Sequence, residues 1–149
     1  MAVPTGSGTE TIHAHHFEEC DNEVTMILGL QHHTYTVLSI IVYCNALNAT
    51  ADVGNITLKG HDGHAGASGV LMIIAKFNIQ VGETYVFNDK FSFNGVEPTG
   101  TTAMNAAQQI AVAAQTGSAV QELQFNMTGS DDGGQSYDVH CTYLDQDWT

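Results

Sequence analysis

Eight histidines in 149 residues are the first feature of this chain with chemical potential. His13-Ala-His15 followed by Glu19 has the spacing H-x-H-x-x-x-E. On a β-strand, residues two apart share a face, so both imidazoles can reach one metal while a carboxylate closes the shell. His61-Asp62-Gly63-His64 is a second cluster, in a loop, with donors that can bind a cation. Gly63, Gly66 and Gly69 leave such a site loosely held, and a turn built on Asp62 and Gly63 accounts for the same residues. His32-His33 precedes a long apolar strand and reads as a solvated or interfacial pair. Nucleophilic chemistry has less support, since no G-x-S-x-G, H-E-x-x-H or phosphate-loop pattern occurs. The apolar neighbours of Cys44 predict a protonated, inert thiol. Glu18, Glu19 and Asp21 fall on a terminal strand, and Asp145 and Asp147 on the C-terminal tail. Both groups read as solvated acidic surface rather than the cleft-bound acid pair of a glycoside hydrolase. The expectation is a protein without catalytic residues, cofactor or metal. His13, His15, His16, His32 and His33 also lie near Glu18, Glu19, Asp21 and Glu23 in sequence. If they gather at a contact, binding should change below about pH 6.

The elements that must carry these residues are short strands separated by Gly, Asn and Asp. Thr34 to Asn45 is the strongest. Strict alternation puts Tyr35, Val37, Ile41 and Tyr43 on one face and Leu38, Ile40, Val42 and Cys44 on the other, which predicts a central strand covered on both sides. Asn55 to Lys59 alternates with Ile56 and Leu58 inward, and Val70 to Phe77 is a nearly continuous apolar run. Thr84 to Phe87 and Asp89 to Phe93 offer Tyr85, Phe87, Phe91 and Phe93 to the core. Ala119 to Met127 turns Leu123, Phe125 and Met127 one way, and Ser136 to Tyr143 does the same with Tyr137, Val139, Cys141 and Tyr143. The Gly129-Ser-Asp-Asp-Gly-Gly134 stretch between them predicts a hairpin. Thr101 to Gln115 is alanine-rich, and alternation of Ile110, Val112 and Ala114 predicts a strand from about Gln109 after a loop or short helical turn. Thr11 to Asp21 is a candidate edge strand with His13, His15 and Phe17 on one side. Together these predict an all-β, single-domain antiparallel β-sandwich or jelly roll of roughly eight or nine strands over residues 11–149, with residues 1–10 as a flexible arm.

Composition narrows the partners. Sixteen acidic residues face three lysines and no arginine, for a net charge of −13 with neutral histidines. Such a chain cannot build the basic stripe that nucleic acid needs, and its field repels anionic membranes. No apolar run approaches a membrane span, and the start of the chain has neither the basic nor the apolar region of a secretion signal. Only 13% of residues are charged, so much of the polar surface is Asn, Gln, Ser and Thr, which loses little on desolvation and suits docking against protein. Cys20, Cys44 and Cys141 are odd in number and widely spaced, and read as buried free thiols in a reducing compartment. Without a secretion signal, the glycosylation patterns at Asn48, Asn55 and Asn126 read as chance matches.

Two resemblances add to this reading. The His13, His15 and Glu19 spacing resembles the first half of the cupin metal motif, carried by jelly-roll proteins. The glycine positions of that motif do not match, and no second motif follows. More of the chain resembles small β-sandwich virion proteins of tailed bacteriophages, especially marine and cyanobacterial ones. The similar segments are Gln31 to Asn45, Val81 to Phe93 and Ser136 to Trp148, with a short N-terminal arm, a strand ending in Cys44-Asn45 and a G-x-T-x-x-x-x-D-K-F stretch from Gly82 to Phe91. This resemblance implies a non-enzymatic structural protein of the virion, assembled in the host cytoplasm. A capsid decoration or cement protein of this kind bridges the major capsid protein and its own copies as a homo-oligomer. The alternative is a tail, collar or fibre module binding other virion proteins or host glycan. A cupin-like metalloprotein using His13, His15 and Glu19 is the third reading. Met1, Val3 and Pro4 of the arm, with Trp148 near the C-terminus, are the candidate partner contacts.

Overall fold

A computed structural model of the chain describes residues 9–47, 52–60, 71–97, 105–107, 109–110, 119–128 and 134–147. Among the described residues eleven strands run in chain order: β1 (Thr9–Cys20), β2 (Val24–Leu28), β3 (His33–Ala46), β4 (Asp52–Lys59), β5 (Leu71–Ile79), β6 (Thr84–Phe87), β7 (Phe91–Asn94), β8 (Val96–Glu97), β9 (Ala119–Val120), β10 (Glu122–Thr128) and β11 (Ser136–Asp147). Nine of them form two antiparallel sheets that pack as a β-sandwich. Sheet A has the order β1-β11-β3-β6, with β7 also on β3, and sheet B has the order β2-β10-β4-β5. β8 and β9 pair with each other.

The core is the space between the sheets. Sheet A contributes Tyr35, Val37, Ile40, Val42, Tyr137, Val139 and Cys141, and sheet B contributes Met26, Ile27, Ile56, Leu123 and Phe125, all buried. Phe125 meets Tyr137 edge-on across the gap at 5.1 Å between ring centroids, and Phe77 stacks on Tyr85 at 3.6 Å. Each pair joins one sheet to the other, so aromatic area holds the layers together. The inward sets expected for β10 and β11 are those observed, as is Ile56 on β4. Phe93 is buried, while Tyr85, Phe87 and Phe91 pack partly buried against the core.

Three expectations about the strands need correction. First, β10 and β11 do not form a hairpin: β10 lies between β2 and β4 in sheet B, and β11 between β1 and β3 in sheet A. The two strands lie in different sheets, so strands with the same alternation face each other instead of pairing. Second, β3 is not covered on both faces. Its register runs Val37 to Tyr143 and then Ser39 to Thr142, leaving Leu38 as the extra residue of a β-bulge. The bulge shifts the phase, so Tyr35, Val37, Ile40, Val42 and Cys44 all point inward and Tyr43 is 39% exposed. Third, Gln109 and Ile110 are helical, with Gln109 N–H donating to the Asn105 carbonyl at 2.9 Å. Alanine propensity prevails at these two residues, and the rest of the expected strand, with Val112 and Ala114, lies outside the described residues.

β1 forms the expected edge strand, but it begins at Thr9, so Thr9 and Glu10 pair with Asp147 and Gln146. The apolar run of β5 is not interior throughout, because β5 edges sheet B and leaves Met72 and Ile73 more than half exposed. At one end of the sandwich, backbones cross closely. Gly29 N–H donates to Gln121, Gln121 N–H to Gly95 and Gly95 N–H to His33. A Cβ on Gly29 would lie 2.0 Å from the Gly95 carbonyl oxygen, so only glycine allows this crossing. Cys20, Cys44 and Cys141 form no disulfide; Cys44 and Cys141 are buried as expected, whereas Cys20 is only partly buried.

Candidate functional site

Both faces of the β1-β11-β3 ribbon carry the histidines. The inward face extends past the apolar core into a polar end. Pairing sets Thr9 beside Asp147, Thr11 beside Asp145 and His13 beside Tyr143 on β1 and β11. On β3 the partners of Asp147, Asp145 and Tyr143 are His33, Tyr35 and Val37. His33 Nδ1–H donates to Asp145 Oδ1 at 2.6 Å, and its Nε2 lies 3.8 Å from Asp147 Oδ2. His13 Nε2 is 3.9 Å from the other Asp145 oxygen and 3.0 Å from Thr11 Oγ1. Its ring stacks on Tyr143 at 5.3 Å.

His15 reaches further in. Tyr143 O–H lies 3.3 Å from His15 Nε2, and His15 Nδ1 lies 3.3 Å from the Met26 carbonyl on β2. The carbonyl can only accept, so Nδ1 carries the hydrogen and Nε2 accepts from the phenol. Burial, with Asp145 second, pushes the Tyr143 hydroxyl up to about 12, which keeps it a donor. The relay Tyr143–His15–Met26 therefore ties β11 and β1 to β2 of the other sheet.

This arrangement clamps strands. Both nitrogens of His33 face carboxylates. The buried Cys141 thiol is pushed up to about 12 by burial alone, so it is protonated and unreactive. The carboxylate beside His13 is Asp145, not Glu19. Glu19 has φ of 51°, sits at the irregularity between Phe17 and Cys20, and gives its N–H to Asp138 at 2.9 Å. Among the described residues, no three His, Cys, Asp or Glu side chains are placed to hold one ion. Asp145 is only 15% exposed, so the expectation of a solvated C-terminal acid pair fails there: β11 continues to Asp147 and carries both acids to His33. No spacing rule could have found this, because His33 and Asp145 are 112 positions apart. Met1, Val3, Pro4, Trp148, His61 and His64 lie outside the described residues.

The outward face of sheet A differs. Its cross-strand rows are Ile12, Leu144, Thr36 and Ser92, then Ala14, Thr142 and Ser39, then His16, His140, Ile41 and Val86, then Asp138, Tyr43 and Thr84. Ile12 is 69% exposed and Val86 53%. Thr36 and Ser92 satisfy each other at 2.8 Å. No lysine stands in these rows, and the acids Glu10, Glu18 and Asp138 sit toward the ends. Asn55 is buried and donates to Asn126 at 3.3 Å, which leaves that glycosylation pattern inaccessible.

No protein-family model and no curated protein matches the chain. Two solved structures are similar at low identity. One is of Bacillus endospore appendages, described as a family of disulfide-linked pili, at 6% identity and a TM-score of 0.40, covering 95% of this chain and 88% of that one. The other is of the infectious bursal disease virus Gt strain, at 9% identity and a TM-score of 0.39, covering 94% of this chain and 31% of that one.

Proposed function

We propose that this chain is a non-enzymatic structural protein of a phage particle, a capsid decoration or cement protein that docks on the shell through the outer face of sheet A. The observation that supports this is the composition of that face: a broad sheet surface of Ile, Leu, Val, Tyr, Ala, Ser and Thr with one histidine pair, no lysine and its acids toward the ends. Covering such a surface removes apolar area from water and strips hydration from few fixed charges. The partners are the major capsid protein and other copies of this chain, with Met1, Val3, Pro4 and Trp148 as further anchors at the two ends.

The test is particle occupancy. Val86→Asp and Thr142→Asp place charge in the middle rows without touching the core. Both variants should keep the β-sheet circular dichroism and lose attachment to purified shells. Undiminished occupancy overturns docking through this face. Antibody labelling that lights the tail instead of the shell overturns the decoration role in favour of a tail module.

A further inference from the structure

We propose that His16 and His140 form a divalent transition-metal site on the outer face of sheet A, with Glu18 orienting one of its ligands. The two residues are direct cross-strand partners on β1 and β11, and both side chains point outward. Their Nδ1 atoms are 3.3 Å apart. Two imidazole nitrogens bound to one ion at about 2.05 Å, with a tetrahedral angle between them, lie about 3.3 Å apart. The pair therefore has the separation a shared ion imposes.

A second observation points the same way. His16 Nε2 lies 3.5 Å from Glu18 Oε1. When Nδ1 binds a metal, the hydrogen of the neutral ring must sit on Nε2. A carboxylate placed there selects that tautomer and raises the basicity of the ligand. The contact between the rings also gains from the ion. Two neutral imidazoles can share one hydrogen across Nδ1–Nδ1, whereas a cation uses the lone pairs of both. His16 is 48% exposed, so the remaining coordination positions open to water. Two imidazoles without thiolate favour Cu²⁺, then Ni²⁺ and Zn²⁺. The ion cross-links edge strand β1 to β11, so it stabilises the sheet by mass action.

The experiment uses untagged, chelator-treated full-length chain. Titration calorimetry with CuCl2 should show one site per chain. Cu²⁺ at about 100 times its dissociation constant should raise the melting temperature by about 4 °C or more. The Cu²⁺ electron-paramagnetic spectrum should show coupling to two nitrogens. His16→Gln and His140→Gln should each abolish the shift, His13→Gln should retain it, and Glu18→Gln should weaken affinity about tenfold. A wild-type chain that neither binds nor is stabilised by Cu²⁺ overturns the site. So does binding that survives in the His16→Gln/His140→Gln double variant, which assigns it to other histidines.

Discussion

Asp145 shows how much one side chain can hold. Its carboxylate accepts from His33 at 2.6 Å and faces His13 at 3.9 Å, linking all three strands of the ribbon. Asp145→Asn keeps the shape but loses a charge-assisted hydrogen bond. It should cost about 1.5–3 kcal/mol of unfolding free energy, measured by urea titration at pH 7. Gly29→Ala should cost at least about 2 kcal/mol, because the new methyl overlaps the backbone carbonyl of Gly95, which cannot rotate away. Buried weak acids predict the alkaline limit. Burial raises Cys141 from 9.0 to about 12, and burial with Asp145 second raises Tyr35 from 10.0 to about 12. The unfolded chain loses these protons first. Their contribution is thus complete below pH 9.0 and falls away as pH rises toward about 12. Urea midpoints at pH 8, 9, 10 and 11 should decline, and Cys141→Ala should shrink the loss between pH 9 and 10.

At the scale of elements, the chain changes sheet at most of its turns. Among the described strands, β1 to β2, β2 to β3, β3 to β4, β5 to β6 and β10 to β11 all change layer, and in the two main sheets only β4 and β5 are both consecutive and paired. A peptide spanning 119–143 should therefore show no cross-strand contacts by NMR, although its sequence alternates around a glycine-rich turn. The energetic link between β10 and β11 lies in Phe125 against Tyr137. A double-mutant cycle on that pair should return about 0.5–1.5 kcal/mol of coupling. Alternation identified the strands because burial on one face is a local property. It could not name their partners, since a strand that arches over and one that pairs back bury the same residues.

For the whole molecule, long-range pairing and charge dominate. β11 sits between β1 and β3 although it follows β3 by about ninety residues, so sheet A cannot close until Ser136–Asp147 arrives. Loop-closure entropy on that scale predicts folding in milliseconds to seconds rather than microseconds. A net charge of −13 repels itself across a small body, and raising NaCl from 0.02 to 0.5 M should increase the urea midpoint. If the ends are anchors, removing residues 1–8 or replacing Trp148 by Ala should weaken shell attachment while the β-sheet spectrum stays unchanged.

By itself the sequence determined the fold class, the inward residues of β10 and β11, the edge position of β1 and the burial of Cys44 and Cys141. Each follows from composition or from a period of two along a single strand. The tertiary structure alone decided which strands are neighbours, where Leu38 breaks the alternation of β3, and which acids meet which histidines. A bulge needs a partner strand to define the extra residue, and His33 meets Asp145, or His16 meets His140, only once distant strands share a sheet. Side-chain period is encoded locally, but register is a property of two strands together.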